Sequence, residues 1–462
     1  MENSTATATP KATSPLDFDV PWLEVNKNRI QVIEHVLLGH LRDEHSVRIT
    51  DEGVVYAYDH DEGLHNQTTH QTLSALIKGH IPEELRKVMM TENLRRELTT
   101  DMPNVQASDF NSCEDLVAFF DGVLNIRTGK FSPHSAEHLI TRKLPCRYNA
   151  DATLAQAPVF NKFLNDLQQN DPSAIAFILE YIGAICSFVP GHRFKRLFLL
   201  VGPGNTGKSQ LLNFVTAVLG EENYCAIDLA NLTERFGPIG LRGKRLGCFG
   251  DARSMDIEDL SILKALTGSD SIRAEHKGKD AISFRFTGYL WINCNKLPFF
   301  RGDRGEHMYE RFKIVRADSP VPKEQRDPYL LQKFLSEKEI IINVAIRHLA
   351  EAVKNGYVFT ETEMMECERE EYKIANNSLL TFVSQCCDLN AGRRTRRSEF
   401  NQFYQAWCHE NNIRAEKPKE TGEQMREQFH IQAEKICGHY FYALAILPEV
   451  EDELKITTKY HR

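Results

Sequence analysis

The sequence predicts an α/β protein centred on a glycine-rich phosphate loop, with a mixed α+β region before it and a further domain after it. Three observations carry this prediction. Residues 196–219 read as a buried strand, a G-x-x-x-x-G-K-[ST] loop and an amphipathic helix, in that order. Residues 46–59 and 115–131 alternate around turn signals, as short strands do. Residues 158–189 change to a helical period. The 462 residues allow two to four domains, and 42% apolar with 26% charged residues excludes wholesale disorder. No apolar run approaches the roughly 20 residues of a transmembrane helix, so no membrane partner is expected. A formal net charge of -8 excludes a uniformly basic nucleic-acid coat, and any basic binding surface must be local.

Residues 1–15 are small and polar and are expected to be a disordered tail without a secretory core. Asp17 and Asp19 form a D-x-D that reads as a turn entering the fold, since no second acidic cluster supports a metal site. Residues 16–100 read as a small α+β unit of helices plus a hairpin (46–59, turn at Asp51-Glu52-Gly53), resembling a helix with a wing. His60, His65 and His70 fit no helix face or zinc pattern and read as a solvated loop. Eleven cysteines without C-x-x-C spacing point to reduced, mostly buried thiols and a cytoplasmic setting. Residues 101–190 begin with strands around Thr128-Gly129. They end in helices marked by Phe160, Phe163, Leu164 and Leu167, then Ile175, Ile178, Leu179 and Ile182, and Pro190-Gly191 closes the span.

The segment 191–320 carries the chemistry. RLFLLV is a continuous apolar run suited to a parallel strand buried on both faces. Gly202, Pro203, Gly204, Asn205, Thr206, Gly207, Lys208 and Ser209 complete the loop. Leu211, Leu212, Val215, Val218 and Leu219 then form one helical stripe that Gly220 ends. Backbone amides turned inward at a helix N-terminus favour phosphate. Lys208 is placed to reach β- and γ-phosphates and Ser209 to ligate Mg²⁺, so ATP and Mg²⁺ are the expected cofactors.

Later residues take roles around that loop. Asp251 ends the run GKRLGCFGD as a metal-holding acid or a helix cap, with Asp256, Glu258 and Asp259 expected on the next helix. SIRAE and AISFRF flank His276-Lys277-Gly278-Lys279, a basic hairpin tip suited to a phosphate backbone or simply solvated. Asn295 ends a further strand, as a γ-phosphate sensor or a turn-forming amide. Arg311 opens the next strand as a candidate to reach a neighbour's nucleotide, with Arg301, Arg304 and Arg316 as competitors. Arg393, Arg394, Arg396 and Arg397 precede a helix, as a DNA grip or a solvated loop. Phe400, Phe403, Tyr404 and Trp407 read as core.

GPGNTGKS, LTERFG (232–237), LRGKRL (241–246), Leu266-Thr267-Gly268, the basic hairpin, LWINCNKLP (290–298) and Arg311 together resemble superfamily-3 helicases, in particular the phage/plasmid/poxvirus primase-helicase family. The likeness extends upstream over 122–152 and downstream over 397–413 and 435–447. It implies an AAA-like ATPase core at 191–320 that forms a homohexameric ring and translocates on single-stranded DNA. A helicase-associated domain with a helical collar at 101–190 and a helical segment at 321–376 flank that core. A winged-helix-like C-terminal domain at 377–462 is expected to hold duplex DNA. The resemblance assigns Lys208 and Ser209 to the phosphate loop, Asp251 to the acid, Lys277 and Lys279 to the channel hairpin, Asn295 to the sensor and Arg311 to the arginine finger. Two departures stand out: little room for a primase domain, which suggests a separate primase or polymerase partner, and Asn205-Thr206 where Gly-Asn is common. The expected function is ATP-dependent DNA unwinding in replication of a phage, virus or mobile element. An origin remodeller or loader without processive unwinding is the alternative.

Overall fold

The computed structural model describes residues 20–454, except 27–28, 101–103, 228–231, 233, 235, 253–255, 258–259, 276–280, 301–305, 391 and 412–414. The chain divides into two compact units, Met1–Tyr148 and Asn149–Arg462. The division falls inside the span 101–190, so the strands and the helices of that span belong to different units.

In the first unit, helices α1 (Glu34–Glu44), α2 (His70–Gly79) and α3 (Val88–Thr100) bury Leu37, Leu38 and Leu41 against Leu73, Ile77, Leu94 and Leu98. Thr69 caps α2 by accepting from the Thr72 amide, in a reciprocal capping box. The hairpin expected at 46–59 is present: Arg48–Ile49 pairs with Val55–Asp59 across a turn in which Gly53 has φ +76°. Leu64–Gln67 adds a third strand. His65 lies on this strand, buried, with Nε2 on the Ala136 carbonyl at 2.8 Å, while His60 and His70 are exposed. The solvated-loop reading therefore fails for His65, because strand alternation turns it inward. A second antiparallel meander joins Leu116–Phe119, Gly122–Asn125 and Phe131–Ser132, with the turn at Thr128-Gly129.

The second unit is built on a five-stranded, all-parallel sheet. Its strands are β1 (Leu197–Val201), β2 (Tyr224–Ala226), β3 (Leu246–Ala252), β4 (Tyr289–Cys294) and β5 (Phe312–Arg316), in spatial order β2-β3-β4-β1-β5. All five residues of β1 are buried, as a central strand covered on both faces requires. On one face Leu197, Leu199 and Val201 join Phe249, Ile292 and Ile314. On the other, Phe198 meets Phe177 and Tyr181 of helix α5 (Pro172–Cys186) and Trp291 of β4. Helix α4 (Pro158–Leu167) precedes α5, and helix α6 (Lys208–Leu219) follows β1. Asp171 caps α5 by accepting from the Ser173 and Ala174 amides.

Three further features hold this unit together. Gly183 of α5 faces helix α9 (Lys338–Lys354), preceded by α8 (Leu330–Ser336), and a Cβ there would lie 2.3 Å from the Ala345 carbonyl oxygen. Arg245, just before β3, is fully buried. It donates to the carbonyls of Ala184 (2.9 Å), Val189 (2.8 Å) and Thr287 (3.0 Å), and it lies over the Tyr289 ring. Lys313 of β5 is buried in an ion pair with Glu361 (2.6 Å), which Arg369 also contacts.

Helix α7 (Ser261–Gly268) begins later than expected. Asp256–Ile257 instead pairs as a short parallel strand with Phe299–Phe300, while 258–259 lie outside the described residues. The hairpin Ser271–Glu275/Ala281–Arg285 follows, with Ile272, Ala274 and Phe284 buried and Arg273 and Arg285 exposed on the other face. After α10 (Glu363–Asn376), the C-terminal segment runs helix α11 (Ser378–Cys386), strand Thr395–Arg396, helices α12 (Arg397–Glu410) and α13 (Pro418–Gln428), then strands Glu434–Ile436 and His439–Tyr442. Phe382, Phe400, Phe403, Tyr404 and Tyr442 form its own core, with Trp407 packed at the edge.

Candidate functional site

The chain leaves β1 at Gly202, where a Cβ would lie 2.1 Å from the Ala317 carbonyl oxygen. Asn205 (φ +64°) and Gly207 (φ +96°) adopt left-handed conformations, and backbone of this kind forms anion-receiving concavities. Asparagine tolerates that conformation better than most residues, which accounts for its presence at 205. Gly207 is also the N-cap of α6, and a Cβ there would meet the Phe163 ring at 2.5 Å. Gly202 donates to the Cys294 carbonyl (3.2 Å), and Val321 donates to the Asn205 carbonyl (2.8 Å), fastening the loop on two sides.

Lys208 opens α6 with its side chain folded into the loop and only 7% of the residue exposed. Its ammonium donates to the Gly202 (2.6 Å) and Pro203 (2.7 Å) carbonyls, with Thr206 Oγ1 at 3.4 Å. Ser209 is exposed on the first turn of α6, where the helix dipole favours anions. Pro203 and Gly204 are exposed at the loop's crest.

Asn293 is a residue that sequence reasoning missed. It is buried on β4, donates through Nδ2 to the Lys208 carbonyl (3.2 Å) and accepts at Oδ1 from Trp291 Nε1 (3.0 Å). Its signal in the sequence is an amide inside the apolar run YLWINC, two residues before Asn295.

The ends of three strands lie side by side, because Val201 pairs with Cys294 and Cys294 with Ala252. Asn295 is the exposed residue directly after β4. Asp251 belongs to β3, one residue before the Ala252 pair, and its side chain lies outside the described residues. The β3–β4 register shifts between Phe249 and Ala252, an irregularity of the kind that re-aims side chains beside sites.

A cavity of about 540 Å³ opens beside the loop. Phe163 and Val159 of α4, Val321 and Leu330 give it apolar walls, and Asn205, Gly207 and Gln210 form the side shared with the loop. That volume lies within the range of small-molecule and cofactor sites.

The proposed arginines are distributed differently. Arg311 stands at the N-terminal end of β5, whereas the loop follows the C-terminal end of β1, and Leu197 donates to the Arg311 carbonyl (2.7 Å). Five strand residues at about 3.3 Å each separate it from the loop by roughly 16 Å. Its guanidinium donates to Thr267 Oγ1 (2.6 Å), and burial lowers its pKa despite Asp270 and Glu310. Arg316, at the loop end of β5, pairs with Asp318 (3.1 Å) and Glu368 (3.7 Å). Arg301 and Arg304, with Lys277 and Lys279 of the hairpin tip, lie outside the described residues.

In the C-terminal segment, Arg393 is exposed, Arg394 pairs with Glu434 (2.9 Å) and Arg396 contacts His439. Arg397 donates to the Pro418 carbonyl (2.9 Å) at the start of α13. The contacts of Arg394, Arg396 and Arg397 thus go to three different elements of the segment.

Two family models match parts of the chain. Residues 18–169 match the family described as D5 N terminal like, and residues 200–311 match a family of unknown function, DUF5906. The second match runs from the end of β1 to Arg311. Over 209 residues, the chain is 25% identical to a protein of Acanthamoeba polyphaga mimivirus named "Putative helicase". That stretch is 43% of this chain and 21% of the relative, so the chain spans about a fifth of the relative's length. Two apo structures of the NrS-1 C terminal region each match 89% of this chain at 12% identity. Their TM-scores are 0.47 and 0.48, with 99% and 98% of their own lengths covered. Part of the sequence is thus similar to part of a protein named as a helicase, and the second unit is α/β with a parallel sheet. Among the described residues no helix is long and apolar enough to cross a membrane.

Proposed function

We propose that this chain is an ATP-driven DNA motor of superfamily-3 type, with an AAA-like core that unwinds DNA during replication of a phage, virus or mobile element. The observation that carries the reading is the Lys208 ammonium, held inside a left-handed loop at the N-terminus of α6 beside a cavity of nucleoside size. The triphosphate lies along the loop, and its base enters the cavity against Phe163. Phosphate oxygens replace the Gly202 and Pro203 carbonyls on Lys208, exchanging neutral acceptors for charged ones. Ser209, exposed beside Lys208, and Asp251 are the oxygen donors suited to Mg²⁺, which neutralises phosphate charge when bound. Asn295, at the adjacent strand end, orients the attacking water.

The placement of Arg311 supports action in trans. About 16 Å of strand separates it from its own loop, so a nucleotide that it contacts belongs to another copy, as in a homohexamer. The exposed Arg273 and Arg285 extend the basic character of Lys277 and Lys279 along the hairpin that would face single-stranded DNA. After Ser378, a helix, the strand Thr395–Arg396, two helices and two strands, edged by the short Cys387–Asp388/Ala445–Ile446 pair and followed by the helix Pro448–Leu454, support a winged-helix-like domain, with Arg393, Arg394 and Arg396 towards duplex phosphates.

Strand displacement on a forked duplex with ATP tests the reading, with Lys208→Ala as control. ATP-dependent displacement by the wild type alone is expected. ATPase activity stimulated by DNA without displacement would replace unwinding with origin remodelling or loading. Absence of nucleotide binding would overturn both.

A further inference from the structure

The first unit contains a cluster that the motor reading does not use. His40 and Glu44 are one turn apart on α1, with His40 Nε2 2.5 Å from a Glu44 carboxylate oxygen. His80, the C-cap of α2, brings its Nε2 to 3.2 Å from the same oxygen. The three donor atoms lie within 4.8 Å of one another, a grouping found once among the described residues.

The surroundings fix both imidazoles. Trp22 stacks on His40, with ring centroids 4.1 Å apart, and donates through its indole N–H to the His80 carbonyl (3.0 Å). His80 Nδ1 lies 3.0 Å from the Leu76 carbonyl, which can only accept, so the ring proton sits on Nδ1. In the neutral tautomer that leaves the Nε2 lone pair aimed at the Glu44 carboxylate, two electron-rich atoms at hydrogen-bond distance. A proton or a cation must lie between them. A backbone carbonyl on the far ring nitrogen is the outer arrangement that metal-ligating histidines use. His45 flanks the site edge-on to His80 (5.4 Å), and His60 Nε2 donates to the Glu44 carbonyl (2.6 Å).

We propose that His40 Nε2, His80 Nε2 and the Glu44 carboxylate form a zinc-class divalent metal site that joins the C-terminal end of α1 to that of α2. Two imidazoles and a carboxylate are a borderline donor set that suits Zn²⁺ and leaves a fourth position for water. The ion takes over the role of the shared proton and links positions 36 residues apart, a cross-link that tightens the unit against local opening.

The test uses the full chain. Zn²⁺ binding is measured by equilibrium dialysis after chelator treatment, and Co²⁺ substitution is followed by the visible bands of four-coordinate cobalt. One equivalent of metal per chain is expected, with cobalt bands that Zn²⁺ abolishes. His40→Gln/His80→Gln should weaken binding by on the order of a hundredfold or more, while circular dichroism verifies that the variant is folded. Glu44→Gln, a milder change, should weaken binding without removing the imidazoles. No stoichiometric binding by the wild type overturns the proposal and leaves a hydrogen-bonded histidine–glutamate cluster. Binding that survives both variants overturns it in favour of the cysteine thiols.

Discussion

Replacing Asn293 by leucine isolates the buried link between β4 and helix α6. In the wild type, Asn293 Oδ1 accepts from the Trp291 indole and Nδ2 donates to the Lys208 carbonyl. Leucine is similar in size but leaves the indole N–H buried without an acceptor, at a cost of about 1–3 kcal/mol. Misfit of the branched side chain in a packed strand adds about 1 kcal/mol. Trp291→Phe removes the donor instead and orphans Oδ1. In the double variant neither partner is orphaned, so the cost should fall short of the sum by about 1–2 kcal/mol. Urea denaturation followed by far-ultraviolet circular dichroism measures the cycle without relying on the altered tryptophan. Because Asn293 also holds the first turn of α6, Asn293→Leu should weaken nucleotide affinity several-fold as well. Additivity within about 0.5 kcal/mol, or an Asn293→Leu protein as stable as wild type, would refute the argument.

Four other outcomes follow from the same structure. Gly183→Ala pushes a methyl into the Ala345 carbonyl and should lower stability by about 1–3 kcal/mol, read as a reduced urea midpoint. Gly207→Ala combines a left-handed φ with a clash against Phe163, so nucleotide affinity measured by fluorescent-analogue titration should fall at least tenfold. On the proposed reading Lys208→Ala removes a charge-assisted phosphate contact of about 1.5–3 kcal/mol, giving ten- to hundredfold weaker nucleotide binding by calorimetry. For Glu361, burial raises the carboxyl pKa, but Lys313 and Arg369 outweigh it and hold the group below 4.5. Its stabilisation is therefore complete above the unfolded value near 4.5 and is lost as pH falls through the lower folded value. Glu361→Gln should flatten that acid limb in a series of melting curves.

The parts of the fold set by local chemistry were legible in the sequence. GPGNTGKS fixed a strand, a turn and a helix because glycine placement, apolar runs and helix stripes are all short-range signals. The hairpins at 46–59 and 271–285 were legible for the same reason, through alternation around a glycine turn. What escaped depended on which distant segments meet. Asn293 looked like one more strand residue until its partners were Trp291 and the α6 backbone. The cavity joins α4 to residues 321–330, which no spacing rule connects. His80 lies 36 residues beyond Glu44, which is itself one turn beyond His40, and no spacing rule joins the three, whereas His60, His65 and His70 are evenly spaced. The acidic company of Asp256 suggests a helix, but it pairs with Phe299 in a short strand.

Arg245 has a consequence for the conditions that the core tolerates. Its charge is held by the dipoles of backbone carbonyls, those of Ala184 and Ile185 lying in the last turn of α5, and by no carboxylate among the described residues. A carboxylate partner would be lost to acid. A carbonyl has no proton to gain in the working range, and a guanidinium sealed from solvent is little screened by salt. The anchor at the base of the parallel sheet is therefore indifferent to acidity and ionic strength, even where the Lys313–Glu361 pair is not.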